Sequence, residues 1–138
     1  MTRPPRLLRA GLVEISEDGA RLTIGRCSTC LRAHFPFAAD CPWCGAEACA
    51  ADRGGPWARL WLWTAVTSRP PGYRGPVPYG FGVVELEDVP LRVVTRLTEA
   101  DPAKLYEGQR LQLVLDEFFT DDDGTAIAGW AFTPAAVD

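Results

Sequence analysis

Between residues 11 and 25 apolar side chains fall on alternate positions, Val13 and Ile15 and then Leu22 and Ile24, on either side of the turn-forming run Glu17-Asp18-Gly19. A period of two is the pattern of strands with one buried face, and it predicts a β-hairpin here. Residues 3–10 ahead of it are compatible with a short helix, confined by Pro4 and Pro5 to the positions after them. A second alternating stretch, residues 58–67, carries Leu60, Leu62, Thr64 and Val66 on one side and Trp61, Trp63, Ala65 and Thr67 on the other. Both sides are largely apolar, so neither face of this strand can be freely solvated. Residues 79–87 and 91–97 read as an antiparallel pair about a tight turn near Asp88 and Pro90. Two further strands, 111–119 and 125–132, are linked by Asp121-Asp122-Asp123-Gly124.

Breaks in the pattern complete the outline. Residues 46–56 are small and polar, end in Gly54-Gly55-Pro56, and read as a connector. Residues 68–78 are rich in proline and glycine and cannot form a central strand, and long loops inside compact domains are often functional. Residues 101–108 carry helix signals: Asp101 at the N-cap, Pro102 at the first helical position and Gly108 past the end. From residue 57 the order is therefore strand, strand, strand, short helix, strand, strand, which is the element order of a five-stranded OB-fold barrel.

The segment ahead of the barrel holds Cys27-Ser28-Thr29-Cys30 and Cys41-Pro42-Trp43-Cys44-Gly45. A Cys-x-x-Cys pair lets two thiolates reach one ion from a single tight turn, and two pairs complete a tetrahedral shell with no open position for water. Cys27, Cys30, Cys41 and Cys44 are thus expected to hold one structural zinc ion that adds its binding energy to folding. A rubredoxin-type iron site, disulfides or unligated core cysteines are the alternatives. Gly45 supplies the positive φ such a turn often needs after its last ligand. His34 lies between the pairs and is expected to pack or face solvent. Cys49 falls outside the spacing, and as a lone cysteine is expected to be a small inert hydrophobe. The expected fold is all-β: an N-terminal hairpin and rubredoxin-like zinc ribbon over residues 1–55, then an OB-fold barrel with one short helix over residues 56–138.

A chain of 138 residues, 47% hydrophobic, can bury one modest core or a small module packed on a compact barrel. No stretch approaches the length of a membrane span, and the opening residues lack the apolar core of a secretory signal, so a soluble, cytoplasmic protein is expected. A net charge of −4 disfavours nucleic acid. The barrel half has no histidine to build a Ser-His-Asp or Cys-His system, and there is no phosphate-cradling glycine loop. Asp121, Asp122 and Asp123 belong to a solvated turn, and Glu85, Glu87 and Asp88 close a strand, so no catalytic constellation is read.

Several stretches give the chain its resemblance to a known family: Gly25-Arg26-Cys27-Ser28-Thr29-Cys30, Phe35-Pro36, Cys41-Pro42-Trp43-Cys44-Gly45, Thr67-Ser68-Arg69-Pro70-Pro71-Gly72-Tyr73 and Pro78-Tyr79-Gly80-Phe81-Gly82-Val83-Val84-Glu85-Leu86. With residues 97–114 they resemble the DUF35 family of acyl-CoA-associated proteins across most of residues 21–134. The likeness departs at the start, where such proteins usually lead into the ribbon with a longer helix. It implies a non-catalytic accessory subunit that docks on a thiolase-fold enzyme, in a hetero-oligomer such as α2β2, and helps form an acyl-CoA site. The partner's reaction could be thiolytic cleavage of a 3-oxoacyl-CoA, aldol cleavage or polyketide-type acyl transfer.

The residues agree with that implication in two places. Trp61 and Trp63 are large aromatics of the kind that anchor a buried protein interface, although they could equally pack beneath the ribbon. The loop after the first barrel strand offers Arg69, Pro71, Tyr73, Arg74, Tyr79 and Phe81 as an apolar wall with cations for a CoA phosphate, or simply connects two strands. A single-stranded nucleic-acid binder is the rival reading, since OB barrels with aromatic platforms serve that role.

Overall fold

Alternation of apolar and polar residues produces strands almost throughout a computed structural model that describes residues 4–136. They are β1 (Arg6–Leu7), β2 (Val13–Ser16), β3 (Gly19–Cys27), β4 (Ala33–His34), β5 (Cys49–Gly54), β6 (Trp57–Val66), β7 (Tyr79–Leu86), β8 (Arg92–Leu97), β9 (Arg110–Thr120) and β10 (Ala126–Pro134). β6, β7 and β8 run as an antiparallel meander; β8 lies parallel to β10, β10 pairs antiparallel with β9, and β9 returns to β6. The five strands thereby close into an OB-fold barrel, and closure satisfies main-chain groups that an open sheet would leave at its edges.

In a second sheet β3 pairs with β2, β4 and β5. The two sheets share one core. Leu22 and Ile24 project from the same face of β3 and are fully buried among Leu60, Val84, Leu111 and Phe132 of the barrel. The ribbon is therefore packed into the barrel's own apolar interior through the strand that ends at its first cysteine.

The structure corrects the reading from pattern at four places. Residues 46–56 are not merely a connector, because β5 pairs with β3 along Leu22–Cys27. Its small polar residues carry no alternation since the strand is held by main-chain hydrogen bonds and is mostly exposed. The expected N-terminal helix is instead β1, where Arg6 and Leu7 pair with Ile127 and Ala128; Arg3 lies outside the described residues. The helix over 101–108 reduces to a 3-10 turn, Pro102–Lys104, in which the Asp101 side chain accepts from the Ala103 N–H. Leu105 follows in extended conformation and is buried in the core, which ends the helical turn early.

The fourth correction concerns β6. Its pairing with β7 shifts between Leu60 and Leu62, so that Trp61 is the extra residue of a β-bulge. Leu60 is buried, whereas Leu62 is 53% and Trp61 39% exposed, and the simple two-sided alternation fails. A Cβ at Gly82 would sit 2.2 Å from the Leu62 carbonyl oxygen, so only glycine lets β7 approach the bulge.

Across the barrel surface Glu87 accepts from Arg110 through both Nε (3.0 Å) and Nη2 (3.1 Å) and also meets Arg59 Nε at 3.0 Å. Arg110 stacks over Trp57 at 3.9 Å. The Arg110 hydrogen bonds, with the charges of both arginines, hold the Glu87 carboxyl below its ordinary range against the opposing effect of burial.

Two outcomes follow from this packing. Ile24→Ala should cost about 2–5 kcal/mol, and in chemical denaturation ribbon and barrel should still unfold in one transition because they share the core. Glu87→Gln should cost less than about 1 kcal/mol at neutral pH, as a partly exposed pair does. A depressed folded-state pKa contributes stability that is complete above the unfolded value and lost as pH falls through the folded one. The gap between Glu87→Gln and the parent should accordingly narrow on acidification; a gap that widens would exclude this role.

Candidate metal centre and the surfaces around it

Two tight turns bring the paired cysteines together. In the first, Leu31 N–H donates to the Cys27 carbonyl and Cys27 N–H to the Arg32 carbonyl, both at 3.0 Å. In the second, Gly45 N–H donates to the Cys41 carbonyl and Cys41 N–H to the Ala46 carbonyl, both at 2.9 Å. The residue after each second cysteine has positive φ, 80° at Gly45 and 65° at Leu31. The left-handed conformation costs a residue bearing a Cβ roughly 1–2 kcal/mol, so the first turn is held against local preference at Leu31, which is 81% exposed.

The four sulfurs lie within 4.8 Å of one another, with Cys27 Sγ 3.7 Å from Cys44 Sγ and Cys30 Sγ 3.6 Å from Cys41 Sγ. A tetrahedral ion with metal–sulfur bonds of about 2.3 Å requires sulfur–sulfur edges of about 3.8 Å. The donor set therefore has the identity and spacing to hold a metal ion. The N–H groups of Thr29 and Cys30 point at Cys27 Sγ (3.4 and 3.5 Å), and that of Trp43 at Cys41 Sγ (3.4 Å). Hydrogen bonding from Cys30 N–H, reinforced by Thr29 N–H and opposed by burial, lowers the Cys27 thiol to about 6. Burial acts upward on Cys41, but the N–H groups of Cys44 and Trp43 outweigh it and leave this thiol lowered too. Each turn thus favours the thiolate at its first cysteine.

Cys49 and His34 stand closer to this site than their spacing suggested. Both lie within 4.8 Å of Cys41 Sγ and of one another by their candidate ligand atoms. Burial, then the charge of Cys27, pushes the Cys49 thiol up to about 11, which keeps it protonated. His34 is buried, with Nε2 3.1 Å from both the N–H and the carbonyl of Ala38. A Cβ at Gly25 would lie 2.3 Å from the imidazole, so the ring packs flush on the β3 backbone. Distance along the chain hid this cluster, since the pairing of Cys27 with Cys49 is a register fact.

The proline-rich loop holds itself together. Arg69 Nε donates to the Gly75 carbonyl at 2.8 Å, Tyr73 Oη to the Pro76 carbonyl at 2.7 Å, and Arg74 pairs with Asp122. Tyr73 meets Tyr79 edge-on at 5.2 Å and Phe119 at 6.0 Å. Pro71 is exposed at the loop tip. Phe81 points outward from β7 and is 37% exposed. The structure also separates the two tryptophans: Trp63 packs against the core with Nε1 on the Pro102 carbonyl at 3.2 Å, while Trp61 lies on the surface under the Arg92 guanidinium at 3.7 Å. One cation that pattern reading passed over is Arg96 on β8, enclosed by Tyr73, Tyr79 and Phe118. A single arginine in an alternating strand gives no signal of its own.

A four-cysteine ribbon packed on a closed OB-fold barrel defines the class of protein. The family described as "ChsH2, C-terminal OB-fold domain" matches residues 53–116. Among solved structures, a chain of the "Ltp2-ChsH2(DUF35) aldolase" superposes with a TM-score of 0.60 at 27% identity, over 84% of this chain and 86% of that one. No curated protein matches by sequence. Both likenesses support the resemblance of this chain to the DUF35 family. Among the described residues no helix is long and apolar enough to cross a membrane.

Titration of the reduced, metal-free chain with Co2+ should saturate at one equivalent, with the spectrum of a tetrahedral thiolate site. Cys49→Ser should leave that stoichiometry and spectrum unchanged; loss of the spectrum would make Cys49 a ligand.

Proposed function

We propose that this chain is a non-catalytic accessory subunit of a thiolase-fold acyl-CoA enzyme, in which it docks on the catalytic subunit and helps form the acyl-CoA site. Similarity to a chain of an Ltp2–ChsH2 aldolase, spanning most of both chains, is the observation that carries this reading. An aldolase therefore replaces thiolytic cleavage as the first reaction to test for the partner, with both in the same hetero-oligomeric setting. Residues 1–55 and 56–138 act as ribbon and barrel units of one docking body.

In this reading the resident metal is one structural zinc ion held by Cys27, Cys30, Cys41 and Cys44. Four thiolates leave no position for water, so zinc serves to fold the ribbon. The docking surface includes Trp61, whose partly exposed ring lies under Arg92 and next to exposed Leu62, which suits an aromatic anchor. Trp63 supports that surface from beneath. The loop residues Arg69, Pro71, Tyr73 and Arg74, with Tyr79 and Phe81, would border the CoA thioester bound jointly with the partner. Because Arg69 and Arg74 are engaged within the chain, they shape the loop, and a phosphate reaching them would have to displace Asp122 from Arg74.

Co-expression with a thiolase-fold protein from the same genome tests the proposal. The two should co-purify, and omission of this chain should abolish acyl-CoA cleavage. Trp61→Asp should weaken the complex at least tenfold with the fold intact, and Cys41→Ser should release the partner by unfolding the ribbon. A chain that associates with no thiolase-fold protein, and whose omission leaves cleavage unchanged, would overturn the reading.

A further inference from the structure

Between residues 7–13 and strands β7, β8, β9 and β10, a cavity of about 220 Å³ is walled by Leu7, Leu8, Leu12, Val13, Phe81, Phe118 and Trp130. Its charged lining residues are Arg9 and Arg96, and no acidic side chain lines it although the chain carries net charge −4. Arg96 is distinct from the barrel's paired arginines. Arg59, Arg74, Arg92 and Arg110 each meet a carboxylate. Arg96 meets none among the described residues; its Nε–H is buried without an acceptor, and Nη2 reaches only the Tyr73 hydroxyl at a long 3.5 Å. The aromatic rings of Tyr79 and Phe118, each centred 4.0 Å from the guanidinium carbon, hold the cation in place.

A part-buried guanidinium held by ring faces and one long hydrogen bond lacks the counter-charge that a planar fork pairs with best, a carboxylate. An apolar cavity opening beside such a cation, with a second arginine lining it, is complementary to a molecule that is apolar at one end and anionic at the other. We propose that this cavity is a binding site for a small amphipathic carboxylate, its apolar body against Phe81, Phe118 and Trp130 and its carboxylate neutralising Arg96. The inference is independent of any thiolase-fold partner, since every residue it uses belongs to this chain.

Calorimetric titration of the isolated, zinc-loaded full chain with octanoate, 1-octanol and octylamine tests it, and absence of a partner protein from the cell keeps its failure distinct from failure of the subunit reading. Octanoate should bind at one per chain, at least tenfold more tightly than octanol, and octylamine should bind more weakly still. Arg96→Gln should reduce octanoate to the affinity of octanol. Since loss of Arg96 could disturb the barrel, Leu8→Asp and the isosteric Leu8→Asn provide a second pair: Leu8 is 62% exposed, both variants lose the same apolar wall, and the carboxylate of Leu8→Asp should weaken octanoate about tenfold relative to Leu8→Asn while octanol binds the two alike. Equal affinities for octanoate and octanol in the parent chain, no octanoate binding, or equal octanoate affinity in Leu8→Asp and Leu8→Asn would overturn the proposal.

Discussion

The fold depends on β3, a single strand with two obligations. Its interior residues Leu22 and Ile24 are fully buried in the barrel core, and its last residue, Cys27, is the first thiol of the metal centre. Apolar packing at one end of the strand therefore fixes where the cysteines of the other end can stand. A metal ion held at the four sulfurs would act on the same backbone as burial of the two aliphatic side chains, so each would stabilise the arrangement the other requires. Pairing of β5 along the whole second half of β3 adds main-chain hydrogen bonds to both.

That coupling gives the ribbon a defined place on the barrel. Trp43 is held by its indole N–H on the Ala33 carbonyl at 3.0 Å, and Arg32 stacks on it at 5.3 Å, so the exposed side of the ribbon is itself ordered. A surface built from Trp43, Leu31 and the barrel's Arg92 faces a cleft between the two sheets. Rigid presentation of such surfaces would suit the proposed accessory subunit, because little ordering entropy would remain to be lost on association.

The arginines divide by environment. Those on the rim are neutralised locally by Glu85, Glu87 and Asp122, and the exposed geometry makes each pair a modest contributor to stability. Arg96 is enclosed by rings and has no anion beside it. Burial of a cation is costly unless some group compensates it, so this is where the surface retains an unused electrostatic preference.

Sequence alone determined the elements whose signals are local. The paired Cys-x-x-Cys spacing named the four sulfurs, because a tight turn is a matter of three or four neighbouring residues. Alternation located β2, β3, β7, β8, β9 and β10, and the order of those strands with the turn at Pro102–Lys104 pointed to the OB barrel. Tertiary structure alone decided what rests on partners distant along the chain. β5 exists because β3 offers it an edge, β1 because β10 does, and neither needs an apolar stripe to form. The bulge at Trp61 turns Leu62 outward through a register shift that two-sided alternation cannot reveal. Cys49 and His34 come beside Cys41 only through strand pairing, and Arg96 acquires its aromatic enclosure from a loop and two other strands. In each case the deciding energy lies between residues far apart in sequence, where no local pattern can carry it.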